Sequence, residues 1–182
     1  DHLLLGIFVA NDLLDNALSY ADAQGNLAYD TARITALQTE LSERLSPLMP
    51  SIALRAWALN IWLPRLRYQM ASEPRFIQHT YHLIDDFARL AAELDARASV
   101  VVIYPRYASA GDLMGMWSAS RKPGALLAQY CRNNNIAVLD LLDHIQGGAD
   151  AARYYYKQDG HFNAEGNRHV AALIHQHLII NQ

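Results

Sequence analysis

Near its carboxyl end the chain reads Asp159-Gly160-His161-Phe162-Asn163-Ala164-Glu165-Gly166, with a carboxylate and an imidazole two positions apart. An acid within reach of a histidine orients the ring and stabilises its protonated form, the back half of an acid–histidine–nucleophile relay. The imidazole of such a pair takes a proton from an attacking hydroxyl and returns it to the leaving group. The bland alternative is an ordinary Asp-Gly turn with His161 packed on Tyr155 or Phe162.

Other groups carry chemistry less specifically. His79, His82 and Asp85 fall at helical spacing, as a metal site or a solvated helix face would. His175 and His177 lie two apart on a helical stretch and so point in different directions, as surface residues do. Asp140 and Asp143 read as paired carboxylates or as a strand end with a cap. Trp57, Ile61 and Trp62, flanked by Arg55, Arg65 and Arg67, form an apolar stripe suited to core packing, or to a lid or acyl-chain surface. Among the serines, Ser109 follows a strand and precedes Gly111-Asp112, but no helix start follows it as a nucleophile elbow requires.

The elements that must position these groups alternate in type. Leu3–Val9 is a continuous apolar run ended by Asn11-Asp12, which reads as a strand buried on both faces or, at its end, as a turn and cap. Residues 15–30 are a polar excursion. Thr31–Leu45 has apolar residues at Ile34, Leu37, Leu41 and Leu45, which predicts a helix with one buried face, and Ile52–Leu63 predicts a second. Ser72-Glu73-Pro74 reads as a helix start with a capping hydroxyl, and apolar spacing carries that helix to about Arg97. Ser99–Tyr104 is a β-branched strand closed by Pro105, residues 106–122 a loop, Pro123–Asn133 a helix, Ile136–Leu141 a third strand and Ala164–Ile179 the last helix. This order predicts an α/β protein with a parallel sheet. Ligands of such sheets bind beyond the carboxyl ends of the strands, where Asn11, residues 106–112 and the Asp159–His161 loop converge by topology alone.

Composition narrows the class. The 182 residues suffice for one domain with a real core, and 52% hydrophobic against 18% charged residues argues against disorder. A net charge of −3 with scattered Lys and Arg argues against a nucleic-acid partner. The single cysteine excludes an intrachain disulfide and a cysteine zinc cluster. No apolar run reaches the roughly 18–20 residues that span a bilayer. The chain opens directly inside an apolar run, so an N-terminally incomplete protein is expected.

Two blocks together resemble the SGNH (GDSL-type) hydrolases, a serine esterase and lipase superfamily. Leu4-Leu5-Gly6-Ile7-Phe8-Val9-Ala10-Asn11-Asp12-Leu13-Leu14-Asp15-Asn16 is similar to the family's third block, and Tyr155 to Arg168 to its fifth. The blocks stand in the family's order, with strands between them. The family has glycine where Val9 stands, and an acid three residues before its histidine where this chain has two.

The resemblance implies a flavodoxin-like, three-layer α/β/α fold over residues 1–182 as one domain, its first two strands missing and a helical insertion around residues 31–70. It implies ester hydrolysis through an acyl-enzyme, without metal or cofactor. Asn11 would donate to the oxyanion, His161 would be the general base, and Asp159 would orient it. The family's Gly-Asp-Ser nucleophile block lies upstream of the asparagine block and is not in this sequence, so the chain alone is expected to be inactive and marginally stable. Removal of the first two strands leaves Leu3–Val9 as an exposed edge that favours self-association. Substrates of the class include small carboxylic esters, lipid esters and O-acetyl groups on glycans. An O-acyltransferase with the same residues, or a non-catalytic domain that binds a carbohydrate or partner, are the alternatives. A nucleotide binder is weaker, since no glycine-rich phosphate loop is present.

Overall fold

The computed structural model describes residues 1–10, 12, 13, 16, 19–21, 27–29, 32, 35, 36, 39, 40, 43, 65, 68–111, 113 and 119–180. Their elements, in chain order, are β1 (His2–Phe8), β2 (Ser19–Ala21), β3 (Leu27–Tyr29), α1 (Pro74–Glu93), β4 (Arg97–Ile103), α2 (Arg106–Ala110), α3 (Lys122–Asn133), β5 (Ala137–Asp140), a 3₁₀ turn (Leu141–Asp143), α4 (Gly147–Tyr154) and α5 (Ala164–Ile180). The protein is mixed α/β, and β1, β4 and β5 form a three-stranded parallel sheet in the order β1-β4-β5. β2 and β3 form a separate antiparallel pair inside the stretch expected to be a polar excursion.

β4 is central because nothing in its second half tolerates water. Val100, Val101 and Val102 are each no more than 1% exposed. Alternate residues of a strand face opposite sides. Val100 and Val102 accordingly join one cluster with Phe76, Ile77 and Ile84 of α1 and Leu127, Ala128 and Cys131 of α3. Val101 joins another with Leu139, Leu141, Ile145, Ala151 and Tyr154, Tyr155 and Val170, against which Ile103 and Phe162 pack. Each fully buried valine contributes on the order of 1.5–3 kcal/mol. Burial pushes the Cys131 thiol up to about 11, so it behaves as a small apolar core residue rather than as a nucleophile.

α1 begins at Pro74, whose missing N–H is no loss in the first turn. The expected capping hydroxyl does another job: Ser72 Oγ donates to the Tyr68 carbonyl at 2.7 Å, and Glu73 occupies the cap position without a side-chain capping bond, its carboxylate instead accepting from Arg75 Nε at 2.8 Å. Tyr81 of α1 stacks on Tyr130 of α3 at 3.9 Å. The described positions within 32–43 and 68–71 are helical, and Arg75 bonds Glu40 at 2.7 Å. The rest of the expected helical insertion, including Trp57, Ile61 and Trp62, lies outside the described residues.

The register of β1 shows which backbone groups remain for other uses. Asp1 accepts from the Arg97 amide at 2.9 Å, and the Val9 amide donates to Ile103 at 3.0 Å. A parallel ladder uses every second residue, so the odd positions face β4 and His2, Leu4, Gly6 and Phe8 face away from it. Among the described residues β1 pairs with β4 alone, and Leu4 is 41% exposed. The outward amide of Phe8 is taken by Asp12 Oδ2 at 2.7 Å.

At the opposite edge of the core, Tyr104 is fully buried and its hydroxyl donates to Asp140 Oδ2 at 3.3 Å. Burial raises the Asp140 carboxyl, while the Leu142 amide at 3.0 Å works against that rise. α3 approaches this phenol at Gly124, where a Cβ would stand 2.3 Å from the Tyr104 oxygen. Alanine in a helix ordinarily gains about 0.5–1 kcal/mol over glycine. At this position overpacking reverses the sign: Gly124→Ala is expected to destabilise the fold by about 1–3 kcal/mol. Chemical denaturation checks this, with Gly148→Ala in α4, where a Cβ meets nothing within 4 Å, as the control expected to gain about 0.5–1 kcal/mol.

Candidate active site

The Asp159–His161 loop is closed at its base before it is shaped at its tip. Tyr155 and Phe162 form an isolated antiparallel bridge with ring centroids 4.5 Å apart. Within it the Tyr156 amide donates to the His161 carbonyl at 3.1 Å, and outside it the Asn163 amide donates to Tyr154 at 2.9 Å. The Tyr155 phenol, buried and pushed up to about 12 by that burial, donates to the Tyr104 carbonyl at 2.9 Å. Its one proton is thus used, so the 2.8 Å contact with Ser109 is a bond that Ser109 donates. The base of the loop is anchored in the core by a neutral hydroxyl chain.

Asn163 fixes the other side. Its Oδ1 accepts from the amides of Glu165 and Gly166, each at 2.9 Å, and caps α5. Its Nδ2 donates to the carbonyls of Arg153 and Tyr155, at 2.7 and 3.3 Å. One side chain therefore ties the start of α5 to the end of α4. Gly166 lets the two come together, since a Cβ there would stand 2.1 Å from the Tyr154 carbonyl oxygen.

At the tip, Asp159 Oδ1 lies 2.5 Å from His161 Nδ1 and accepts the His161 backbone amide at 3.3 Å. The two-residue spacing thus lets one carboxylate oxygen serve both donors. With Nδ1–H turned to the carboxylate, Nε2 is the nitrogen left to exchange a proton. The imidazole hydrogen bond holds the Asp159 carboxyl below the ordinary carboxylate range. Both side chains face solvent, Asp159 at 54% and His161 at 67% exposure.

The loop stands over the carboxyl ends of two strands. The Phe8 ring, at the end of β1, lies 5.3 Å from the His161 ring at 30°. Gly160 rests on Pro105, which follows β4: a Cβ at 160 would be 3.4 Å from the Pro105 Cβ and 3.9 Å from Phe8 Cζ. Arg106 Nη1 donates to the Lys157 carbonyl at 3.2 Å and holds the ascending limb of the loop. Phe8, rather than Tyr155 or Phe162, is thus the ring against His161. Sequence patterning reads Phe8 only as strand interior, and the one signal for its role is its place as the strand's last residue.

The remaining candidates fall elsewhere. Asn11, and with it the oxyanion amide expected from the sequence, lies outside the described residues, as does Asp112. Ser109 is 1% exposed and committed to Tyr155, which leaves it no path to a substrate. Ser99 and Ser120 are fully buried. Asp85 accepts the Tyr130 hydroxyl at 2.8 Å. Asp140 caps the 3₁₀ turn. His175 is exposed, whereas His177 is partly buried and its imidazole lowered, by burial first and then by His144 and His2.

Asn163→Ala is expected to lower stability by about 1–2 kcal/mol, the cost of a lost N-cap, measured by denaturant unfolding. Asp159 sets a pH dependence of defined sign. Its folded pKa is depressed, so the pair's contribution is present above the unfolded value of roughly 3.9 and is lost as pH falls through the folded value. Carbon-detected NMR should find the Asp159 carboxyl titrating below the ordinary range, and His161→Ala should return it towards that range. An Asp159 titration unchanged by His161→Ala would contradict the pairing. Compared with known proteins, the chain matches no family model, no curated protein and no solved structure.

Proposed function

We propose that this chain is the portion of an SGNH-type serine ester hydrolase that supplies the general base, the acid that orients it, and the oxyanion amide. The observation that carries the reading is the 2.5 Å contact between His161 Nδ1 and Asp159 Oδ1, in a loop over the carboxyl ends of β1 and β4. The parallel order β1-β4-β5 is compatible with a flavodoxin-like, three-layer arrangement of one domain. Among the described residues no helix is long and apolar enough to cross a membrane.

In this reading a serine from a preceding segment attacks the ester carbonyl carbon and passes its proton to His161 Nε2. Asp159 keeps the ring in its Nδ1–H form and faces the imidazolium that results. The Asn11 amide donates to the oxyanion, which then collapses, and His161 hands the proton to the departing alcohol. Water repeats the sequence on the acyl-enzyme and releases the acid. The substrate is an acyl or acetyl ester of a small molecule, lipid or glycan.

The test uses the protein as its gene encodes it. A fluorophosphonate probe should label it and it should hydrolyse a short ester. Asp159→Asn should lower kcat by on the order of 10³–10⁴-fold, and His161→Ala by at least as much. The 182-residue chain alone should do neither. Absence of both labelling and turnover in the encoded protein would defeat the esterase reading.

A further inference from the structure

We propose that Phe8 is a positioning residue for His161, an aromatic floor at the end of β1 that holds the imidazole in the plane where Asp159 can reach Nδ1. The inference rests on the reading of His161 as the base. It starts from a problem in the geometry. Two side chains as exposed as Asp159 and His161 compete with water for their mutual hydrogen bond, and a single bond leaves the ring free to tilt about it.

Among the described residues, the one aromatic ring against the imidazole is that of Phe8, 5.3 Å away and tilted by 30°. That separation lies within the range of favourable aromatic pairs. Phe8 is in turn fixed more firmly than the ring it supports. Its Cα is in register with Ile103, and its amide is held by Asp12 Oδ2 at 2.7 Å. Its ring tip also approaches Gly160, so the residue before the histidine rests on the same surface. The restraint runs from the sheet, through Asp12 and Phe8, to a ring that would otherwise be held by one carboxylate. Phe8 touches no reacting atom in this scheme and acts only through His161.

Three variants of the encoded protein separate positioning from plain burial. Phe8→Leu keeps an apolar side chain but removes the ring, Phe8→Tyr keeps the ring, and Asp159→Asn marks the loss of the carboxylate. NMR of the wild type should show the His161 ring protons displaced upfield by Phe8, and an Nδ1 proton protected from exchange. In Phe8→Leu the displacement should vanish and Nδ1 exchange should approach that of Asp159→Asn. In the same variant kcat for a short ester should fall about tenfold with KM within about twofold of wild type. Phe8→Tyr should restore all of these.

Wild-type Nδ1 exchange and kcat in Phe8→Leu would overturn the proposal. So would a joint loss of kcat, KM and thermal stability that Phe8→Tyr fails to rescue, since that is the mark of a merely structural residue. If the wild type turns over no ester, the esterase reading falls, and Nδ1 exchange alone decides the Phe8 claim: unchanged in Phe8→Leu refutes it, accelerated upholds it.

Discussion

The structure depends on the burial of β4 from both sides. Three successive valines with almost no exposed surface demand apolar cover on each face and a hydrogen-bonded strand on each edge. β1 and β5 supply the edges. Helices α1 and α3 supply one face, and the residues from Leu139 through α4 to Val170 supply the other. Once these are in place, the carboxyl end of β4 is a fixed platform, and Tyr104, Pro105 and Arg106 leave it in three directions. Tyr104 lends its carbonyl to Tyr155, Pro105 underlies Gly160, and Arg106 crosses to Lys157. Each of these contacts ends on the loop that carries Asp159 and His161.

This arrangement separates rigidity from exposure. The reactive pair stands in solvent, where its own hydrogen bond is worth little, yet the residues on either side of it are buried or capped. Tyr155 is locked by a phenol that burial keeps neutral, and Asn163 uses both ends of its amide. Water can reach the pair without loosening its frame, as the proposed hydrolysis would require. A preorganised loop also means that little ordering is left to be done when a substrate arrives.

Much of this is legible in the sequence, and the remainder fails for identifiable reasons. The parallel strands announce themselves by their apolar runs, but burial on both faces, expected of Leu3–Val9, holds for Val100–Val102 of β4 and not for β1, where Leu4 and Gly6 are exposed and Ile7 is buried. The acid–histidine loop is legible because its partners are two residues apart. The β2–β3 pair is not, since three-residue strands carry no period to read. α2 hides between a proline and a glycine in what reads as a loop, and α4 opens on Gly147-Gly148, which reads as a breaker. The contact of Phe8 with His161 is invisible for a different reason. It joins the first strand to the last loop, and only the register of the sheet brings them together. Ser109, tempting by its neighbours in sequence, is disqualified by a tyrosine that no local pattern connects to it.

The carboxylate of Asp12 has a wider effect than the support of Phe8. By occupying the outward amide of Phe8, it ends at Gly6 the edge of β1 that is unpaired among the described residues. Any strand that lies along this edge can pair with His2, Leu4 and Gly6, and there its ladder stops. The end of β1 nearest His161 is thereby kept out of strand pairing, whatever the edge meets. One acidic side chain marks the frontier between the part of β1 open to assembly and the part reserved for the loop above it.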